Sequence, residues 1–276
     1  MEPYLKIKDH SISKEDFELH HDSEIDMLVT FPQPVDLAPY YESEAYISHT
    51  DSASSLFDKL YQQIKRRNLR NKLQLIVNQQ VNIKSLLDFG AGTGDFLNVV
   101  KQKGIGVEGV EPNAKARQNA KKKGVELVSE ENQLRENNFD VITLWHVLEH
   151  LPNLDERIAK LASLLAADGL MVIAVPNFKS FDAKYYGSYW AAYDVPRHLW
   201  HFSRASISKL FAKHGMEVVG TKPMIFDSFY VSLLSEKYKG NRLFFISAFF
   251  IGLWSNLQAF FTKEHSSIIY LIRKTK

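Results

Sequence analysis

The chain has no cysteine. That excludes structural disulfides and any zinc site built on thiolates. Charge of one sign is also missing: 34 Lys and Arg against 32 Asp and Glu leave a formal net charge of +2 over 276 residues, no strong drive toward nucleic acid. The N-terminus, MEPYLKIKDH, carries charges throughout and lacks the apolar core of a signal peptide, so a cytoplasmic protein is expected. Long apolar runs are scarce. One, LFFISAFFIGLWSNLQAFF at 243–261, is long enough to be checked as a membrane span. Ser255, Asn256 and Gln258 interrupt it, and the chain then returns to a β-branched segment that a sheet can use. No transmembrane span is therefore expected. The run reads as a buried or partner-facing helix, with contact to a membrane surface or a lipid-like substrate as the alternative.

Residues 1–50 read as an irregular, acidic and aromatic N-terminal cap segment, because FPQP and Pro39 argue against regular structure there. Ser52 or Ser54 is the candidate cap of the next element, SLFDKLYQQIKRRNLRNKLQLIV. Its Leu56, Leu60, Ile64, Leu69, Leu73 and Ile76 recur at helical spacing. Lys65, Arg66, Arg67, Arg70 and Lys72 read as the solvated face of that helix.

From Lys84 the pattern changes. Ser85–Phe89, GVEGVEP, VELVS, FDVITLWHV and LMVIAVPN are strand-like, interleaved with the helical stretches DFLNVVKQKG, NAKARQNAKKKG and DERIAKLASLLAADG. Strands alternating with helices predict a parallel sheet covered on both faces. After Pro176 come an aromatic stretch at 178–202, a helix SRASISKLFAKHG and a strand MEVVGTKP. The apolar helix at 241–261 and a strand within SSIIYLIRK complete a domain over 51–276 with its core at 84–220.

In such a sheet, ligands sit where the first strand turns into its helix. There the sequence places Gly90, Gly92 and Gly94, which let backbone approach a ligand beside the free N–H groups of a helix start. A dinucleotide fingerprint would need its third glycine at position 95, and Asp95 stands there instead. Glu111, at the end of the second strand, is placed to accept hydrogen bonds from ribose hydroxyls. Asp88 precedes the loop. An acid-rich nucleoside pocket without phosphate contacts suits a cationic nucleoside.

The series LLDFGAGTGDFL, GVEGVEPN, FDVITLWHVLEHLPNL and LLAADGLMVIAVPN, over roughly residues 84–220, resembles the motif series of class I S-adenosylmethionine-dependent methyltransferases. The resemblance lies in the branch that includes polyprenyl-hydroxyphenol (ubiquinone-pathway) O-methylases and related small-molecule enzymes. It implies an α/β fold with a doubly wound, seven-stranded, mostly parallel Rossmann-like sheet, an N-terminal extension, helical insertions and an antiparallel last strand at 267–273. It also implies that Asp88, Phe89, Gly90, Ala91, Gly92 and Gly94 surround the methionine part of S-adenosylmethionine. Glu111 would take the ribose, Pro112 and Asn113 would lie beside the adenine, and Leu144, Trp145 and His146 would border the sulfonium. Some relatives carry a cysteine cluster for zinc ahead of a tyrosine-rich stretch like APYYESEAYISH. This chain has no cysteine, so no zinc role carries over and no metal is expected.

Methyl transfer requires an aligned nucleophile and, for some acceptors, removal of a proton. WHVLEHLP supplies His146, Glu149 and His150; YWAAYDVPRHLWHFS supplies Asp194, Arg197, His198 and His201, with Tyr189, Trp190, Tyr193 and Trp200 between them. His146 reads as lining the active site, and Glu149 with His150 as a hydrogen-bonded pair holding the turn. The second cluster admits two readings. It is either core, with Arg197 clamped to Asp194, or an aromatic lid in which Arg197 orients the acceptor and His198 takes its proton. The expected function is S-adenosylmethionine-dependent methyl transfer (EC 2.1.1) to a small, hydrophobic or aromatic acceptor, at oxygen by analogy. A non-catalytic cofactor-binding or scaffold protein and a nicotinamide-dependent oxidoreductase are the alternatives. A nucleic-acid methyltransferase is disfavoured, because the fourth strand ends in WHVLEH and lacks a proline-aromatic signature for a flipped base. Oligomeric state is left open.

Overall fold

Successive residues along the central strands take opposite sides. Leu86 and Leu87, Val141 and Ile142, and Val172 and Ile173 alternate between two separate buried cores, the period-2 pattern of a sheet covered on both faces. The computed structural model describes residues 1–41, 56–135 and 138–275. Its strands are β1 (Glu2–Lys8), β2 (Asp16–Asp22), β3 (Met27–Phe31), β4 (Ser85–Phe89), β5 (Gly106–Val110), β6 (Phe139–Trp145), β7 (Leu165–Pro176), β8 (Trp200–His201), β9 (Met216–Pro223) and β10 (Ser267–Lys274). Its α-helices are α1 (Leu56–Gln79), α2 (Asp95–Lys101), α3 (Ala114–Lys122), α4 (Leu154–Leu164), α5 (Phe181–Tyr186), α6 (Arg204–Ala212), α7 (Asp227–Tyr238) and α8 (Phe244–Thr262).

The central sheet runs β5-β4-β6-β7-β10-β9. Pairings among β5, β4, β6 and β7 are parallel. The expected final strand is β10, antiparallel to both neighbours, with Tyr270 opposite Ile173 of β7 and Thr221 of β9. The fold is thus the doubly wound one expected, with six strands in place of seven. VELVS makes only an isolated bridge, Val128 to Val110. Beyond it the Gln133 side chain captures the N–H groups of Ser129 and Glu130, and this capping box turns the chain away before a strand can extend. The helix in DERIAKLASLLAADG stops at Leu164, short of Gly169, because Leu165 already pairs with Phe139 of β6.

The N-terminal segment corrects the expectation of irregular structure. β1, β2 and β3 form an antiparallel meander closed by β8. Alternating Leu5 and Ile7, and Phe17 and Leu19, supply its apolar face, and the prolines of FPQP fall after β3 ends, where they interrupt nothing. Beneath this sheet lie Phe178, Tyr186, Trp190, Tyr193 and Val195. Of the two readings open for the stretch 178–202, core and aromatic lid, its burial fits core, with Trp190 and Tyr193 each 2% exposed. Asp182 is buried there and accepts from Trp190 Nε1 at 2.7 Å, Ser255 Oγ at 2.6 Å and Ser266 Oγ at 2.6 Å, joining α5, α8 and the start of β10.

The candidate caps Ser52 and Ser54 lie outside the described residues. Of the basic cluster on α1, Arg66, Arg67 and Arg70 are exposed as expected, but Lys72 turns inward and sits 4.1 Å above the Trp145 ring. Of the forms expected for helix α8, the buried one does not hold. Its buried residues are the small ones, Ala248, Gly252, Ser255 and Ala259, while Phe250, Trp254 and Phe260 are at least half exposed. A Cβ on Gly252 would come within 2.8 Å of Phe229, so glycine there lets α8 lie directly on α7.

Candidate functional site

Three glycines at the end of β4 take left-handed backbone, Gly90 at φ +74°, Gly92 at +53° and Gly94 at +71°, and each is needed for a different reason. A Cβ on Gly90 would meet Val147 Cγ2 at 2.4 Å, and one on Gly94 would meet Ala120 at 2.9 Å. Those two glycines let β4 and α2 pack. A Cβ on Gly92 would meet nothing within 4 Å. Gly92 therefore faces open space at the carboxyl end of the sheet, where this class of fold places ligands.

Glu111 fixes the loop. Its carboxylate accepts from Gly92 N at 2.9 Å and from Asn113 N at 2.9 Å, one bond on each oxygen, so lone pairs remain for another donor. Asn113 also caps α3, its Oδ1 accepting from Ala116 N. Asp95 is neutralised by Lys123 at 2.8 Å.

Below the loop, Asp88 is 3% exposed and accepts from Thr143 Oγ1 at 2.6 Å. Burial raises its pKa to about 7 against the opposing effects of the Thr143 bond and the Lys72 charge. Burial also lowers the Lys72 pKa, with Asp88 and Asp227 acting the other way. Trp145 Nε1 is buried and has no hydrogen-bond acceptor among the described residues. Leu144 is fully buried in the core. Its side chain cannot border a ligand as expected, which leaves its backbone for that task.

Past β6 the chain bends at His146, whose φ is +56°. His146 Nε2 lies 3.1 Å from Asp227 of α7, and its Nδ1 lies 3.5 Å from Glu149. Burial would lower the pKa of His146, but the two carboxylates outweigh it and raise the value to about 10. The two carboxylates thus favour the protonated ring at neutral pH, which speaks against a role as proton acceptor. Asp227 gave no sign of this in the sequence; it lies in an unremarkable stretch, MIFDSF.

Glu149 is 1% exposed, and neither of its oxygens accepts a hydrogen bond from the described residues. Donor atoms of Glu149, His150 and His198 all lie within 4.8 Å of one another. His150 Nδ1 is 3.0 Å from Arg197 O and 2.9 Å from Tyr41 Oη, and His198 Nδ1 is 2.9 Å from Ala192 O. Burial, reinforced by the neighbouring His198 ring, holds the His150 pKa down at about 4. His201 is kept neutral by burial and contacts Thr30 Oγ1 at 3.0 Å.

Arg197 follows the first of its two expected readings, the clamp to Asp194, and not the catalytic one. It is 1% exposed, and every N–H of its guanidinium faces a protein acceptor, from Asp9, Asp194, Ser11, Tyr40 O and Val195 O. No donor is left for an acceptor molecule. Asp9 in turn accepts from the backbone N–H and hydroxyl groups of Ser11 and Ser13. Burial alone would raise its pKa, but the Arg197 hydrogen bond leads the effects that hold it well below the usual carboxylate range. This is a charged bolt between the N-terminal meander and the 190–201 segment.

A methyltransferase-domain family model matches residues 60–221. The C-methyltransferase NovU of Streptomyces niveus is 28% identical over 148 residues, 49% of this chain and 33% of NovU, so the chain spans about a third of that relative's length. Among solved structures, the [4+2]-cyclase SpnF superposes with a TM-score of 0.53 at 16% identity, covering 82% of this chain and 85% of SpnF. Phosphoethanolamine N-methyltransferase 2 of Haemonchus contortus, in complex with S-adenosylmethionine, gives 0.50 at 18% identity, covering 75% of this chain and 53% of that one.

Proposed function

The chain belongs to the methyltransferase-domain family, and from that premise we propose that it transfers the methyl group of S-adenosylmethionine to the oxygen of a small, hydrophobic or aromatic acceptor. The observation that carries the reading is the open cradle at Gly92 with Glu111 beside it. These residues fit the cofactor. Space is left where a side chain would stand, ribose hydroxyls find unused lone pairs on Glu111, and the orphaned Trp145 Nε1 is free to donate. Gly90, Ala91, Gly92 and Gly94 would hold the methionine part, and Pro112 and Asn113 would flank the base. The bound cofactor supplies an electrophilic methyl on a sulfonium, which needs no further activation.

The chain's own task is then orientation and disposal of a proton. His198 Nδ1 faces a carbonyl oxygen, which fixes its hydrogen there and leaves Nε2 as the acceptor. His150 is arranged the same way against Arg197 O. A ring nitrogen of each histidine and a Glu149 oxygen lie within 4.8 Å of one another, a cluster in which a proton can be shared. His198 would take the proton that the acceptor hydroxyl loses, and Glu149 would stabilise the resulting imidazolium. Oxygen is favoured because a hydroxyl must lose a proton on methylation. An acidic C–H acceptor has the same need, and the similarity to a C-methyltransferase over 49% of this chain supports that second reading.

Isothermal titration with S-adenosylmethionine and with NAD tests the cofactor, and turnover of a hydroxyaromatic panel tests the activity. His198→Ala is expected to bind the cofactor normally and to turn over about 10²–10⁴-fold more slowly. Joint loss of cofactor binding and thermal stability would make His198 structural. Activity abolished by EDTA and restored by a divalent ion would reassign the Glu149–His150–His198 cluster to a metal.

A further inference from the structure

Helix α8 is built inside out for a soluble core. It runs 19 residues, about 28 Å at 1.5 Å per residue, and it is long and apolar enough to cross a membrane. Yet it is held lengthwise to the domain. Asn241 Nδ2 donates to Glu236 Oε2 at 2.6 Å and to Ser247 Oγ at 3.0 Å near its start, and Ser255 Oγ bonds buried Asp182 at its middle. Its exit leads within a few residues into β10, between β7 and β9. Both ends belong to one side of the same domain, so the helix cannot stand upright in a bilayer. It lies flat, with its small residues against α7.

The outward face carries Phe249, Phe250, Leu253, Trp254, Leu257 and Phe260, each 39–68% exposed. Their spacing of i, i+1, i+4, i+5, i+8 and i+11 makes one continuous stripe. From Lys237 to Lys263 the sequence holds no Asp or Glu. Lys237, Lys239 and Arg242 lie exposed at one end of this stretch and Lys263 at the other. Lys237 Nζ is 5.3 Å from the Phe244 ring centroid and Lys263 Nζ 5.2 Å from that of Phe260. Their stems therefore run beside the aromatic face while the ammonium groups sit at its ends, as cations do at a lipid headgroup boundary.

We infer that the outer face of α8 docks in the plane of an anionic lipid bilayer, with the phenylalanines and Trp254 at the acyl boundary and the four basic residues on the phosphates. Charge complementarity selects this occupant: protein interfaces are depleted in lysine, whereas exposed aromatics flanked at both ends of the helix by exposed basic residues match an anionic membrane surface. The inference stands independently of the methyl acceptor.

Trp254 is the reporter, because the other three tryptophans are buried or half-buried. The full chain is mixed with vesicles of phosphatidylcholine alone or of phosphatidylcholine with phosphatidylglycerol. Anionic vesicles are expected to float the protein and shift its emission to the blue, with binding weakened by high salt and roughly ten-fold or more weaker on neutral vesicles. Two variants change only exposed side chains. Phe249→Ser with Phe250→Ser, and Lys237→Glu with Lys239→Glu, are each expected to lose vesicle binding while keeping native circular dichroism and cofactor affinity. No flotation with either vesicle overturns the inference. So does a wild-type dimer in sedimentation that the phenylalanine variant dissolves, since a second copy would then own the face. Retention that only detergent releases would overturn the in-plane placement.

Discussion

The two halves of the crevice are built by opposite means. On the β4–β5 side, space is made by leaving side chains out: Gly92 opens a cradle, and one carboxylate, Glu111, pins the loop through two backbone N–H groups. On the β6 side, space is filled with ionisable groups that neutralise one another, from the His146 cation between two carboxylates to the Arg197 bolt. The first half is set by local backbone and should be sensitive in ligand affinity. The second is set by long-range pairing and should be sensitive in stability.

Arg197→Ala gives the largest separation of the two. It strands the buried Asp9 carboxylate, a loss of about 3–5 kcal/mol in unfolding free energy, read by chemical denaturation. Arg197→Lys should lose less, since it keeps the charge and forfeits only the forked geometry. Near-native stability with slowed turnover would restore Arg197 to the acceptor site and break the comparison.

Gly92→Val comes next. It should cost only about 1–2 kcal/mol of stability for its left-handed backbone, while cofactor affinity falls about 100-fold or more, because the branched side chain fills the cradle. Gly90→Ala is the control that sharpens the contrast. Its Cβ meets Val147 at 2.4 Å, so it should lose stability first. Calorimetry beside thermal melts distinguishes them, and equal behaviour of both variants would mean that the loop is only a turn. Glu111→Ala has a smaller expected effect, about 1–3 kcal/mol of cofactor affinity, by the same calorimetry. Unchanged affinity would remove Glu111 from the site.

Legibility in the sequence follows the same division. The glycine loop, Glu111 and the β–α alternation were readable because turn chemistry and strand-end position are properties of neighbouring residues. The N-terminal meander was obscured by prolines that fall outside its strands, although the alternation in YLKIK and DFELHH was there to be counted. Asp9 and Asp227 could not be found in this way. Asp9 meets Arg197 across 188 positions and Asp227 meets His146 from the first residue of helix α7, and nothing local marks either. Lys72 was read with its basic neighbours as solvated, since the half-turn that carries it over Trp145 depends on how α1 packs.

The smallest expected effect tests the electrostatic half by pH alone. His146 titrates near 6.5 when unfolded and at about 10 in the folded chain, so folding favours its protonated form. The stabilisation from Asp227 and Glu149 is complete below pH 6.5 and is lost progressively as pH rises toward 10. About a third of the His146 side chain is exposed; water screens the pairs, and the contribution is about 1 kcal/mol. His146→Gln should therefore differ from the native chain most at the acid end of that window and converge with it at the alkaline end, as measured by urea unfolding at a series of pH values. A difference that stays flat, or grows with pH, would mean that His146 is neutral in the folded state. The ring would then regain its place as a candidate base, and the β6 half would no longer be a set of mutually neutralised charges.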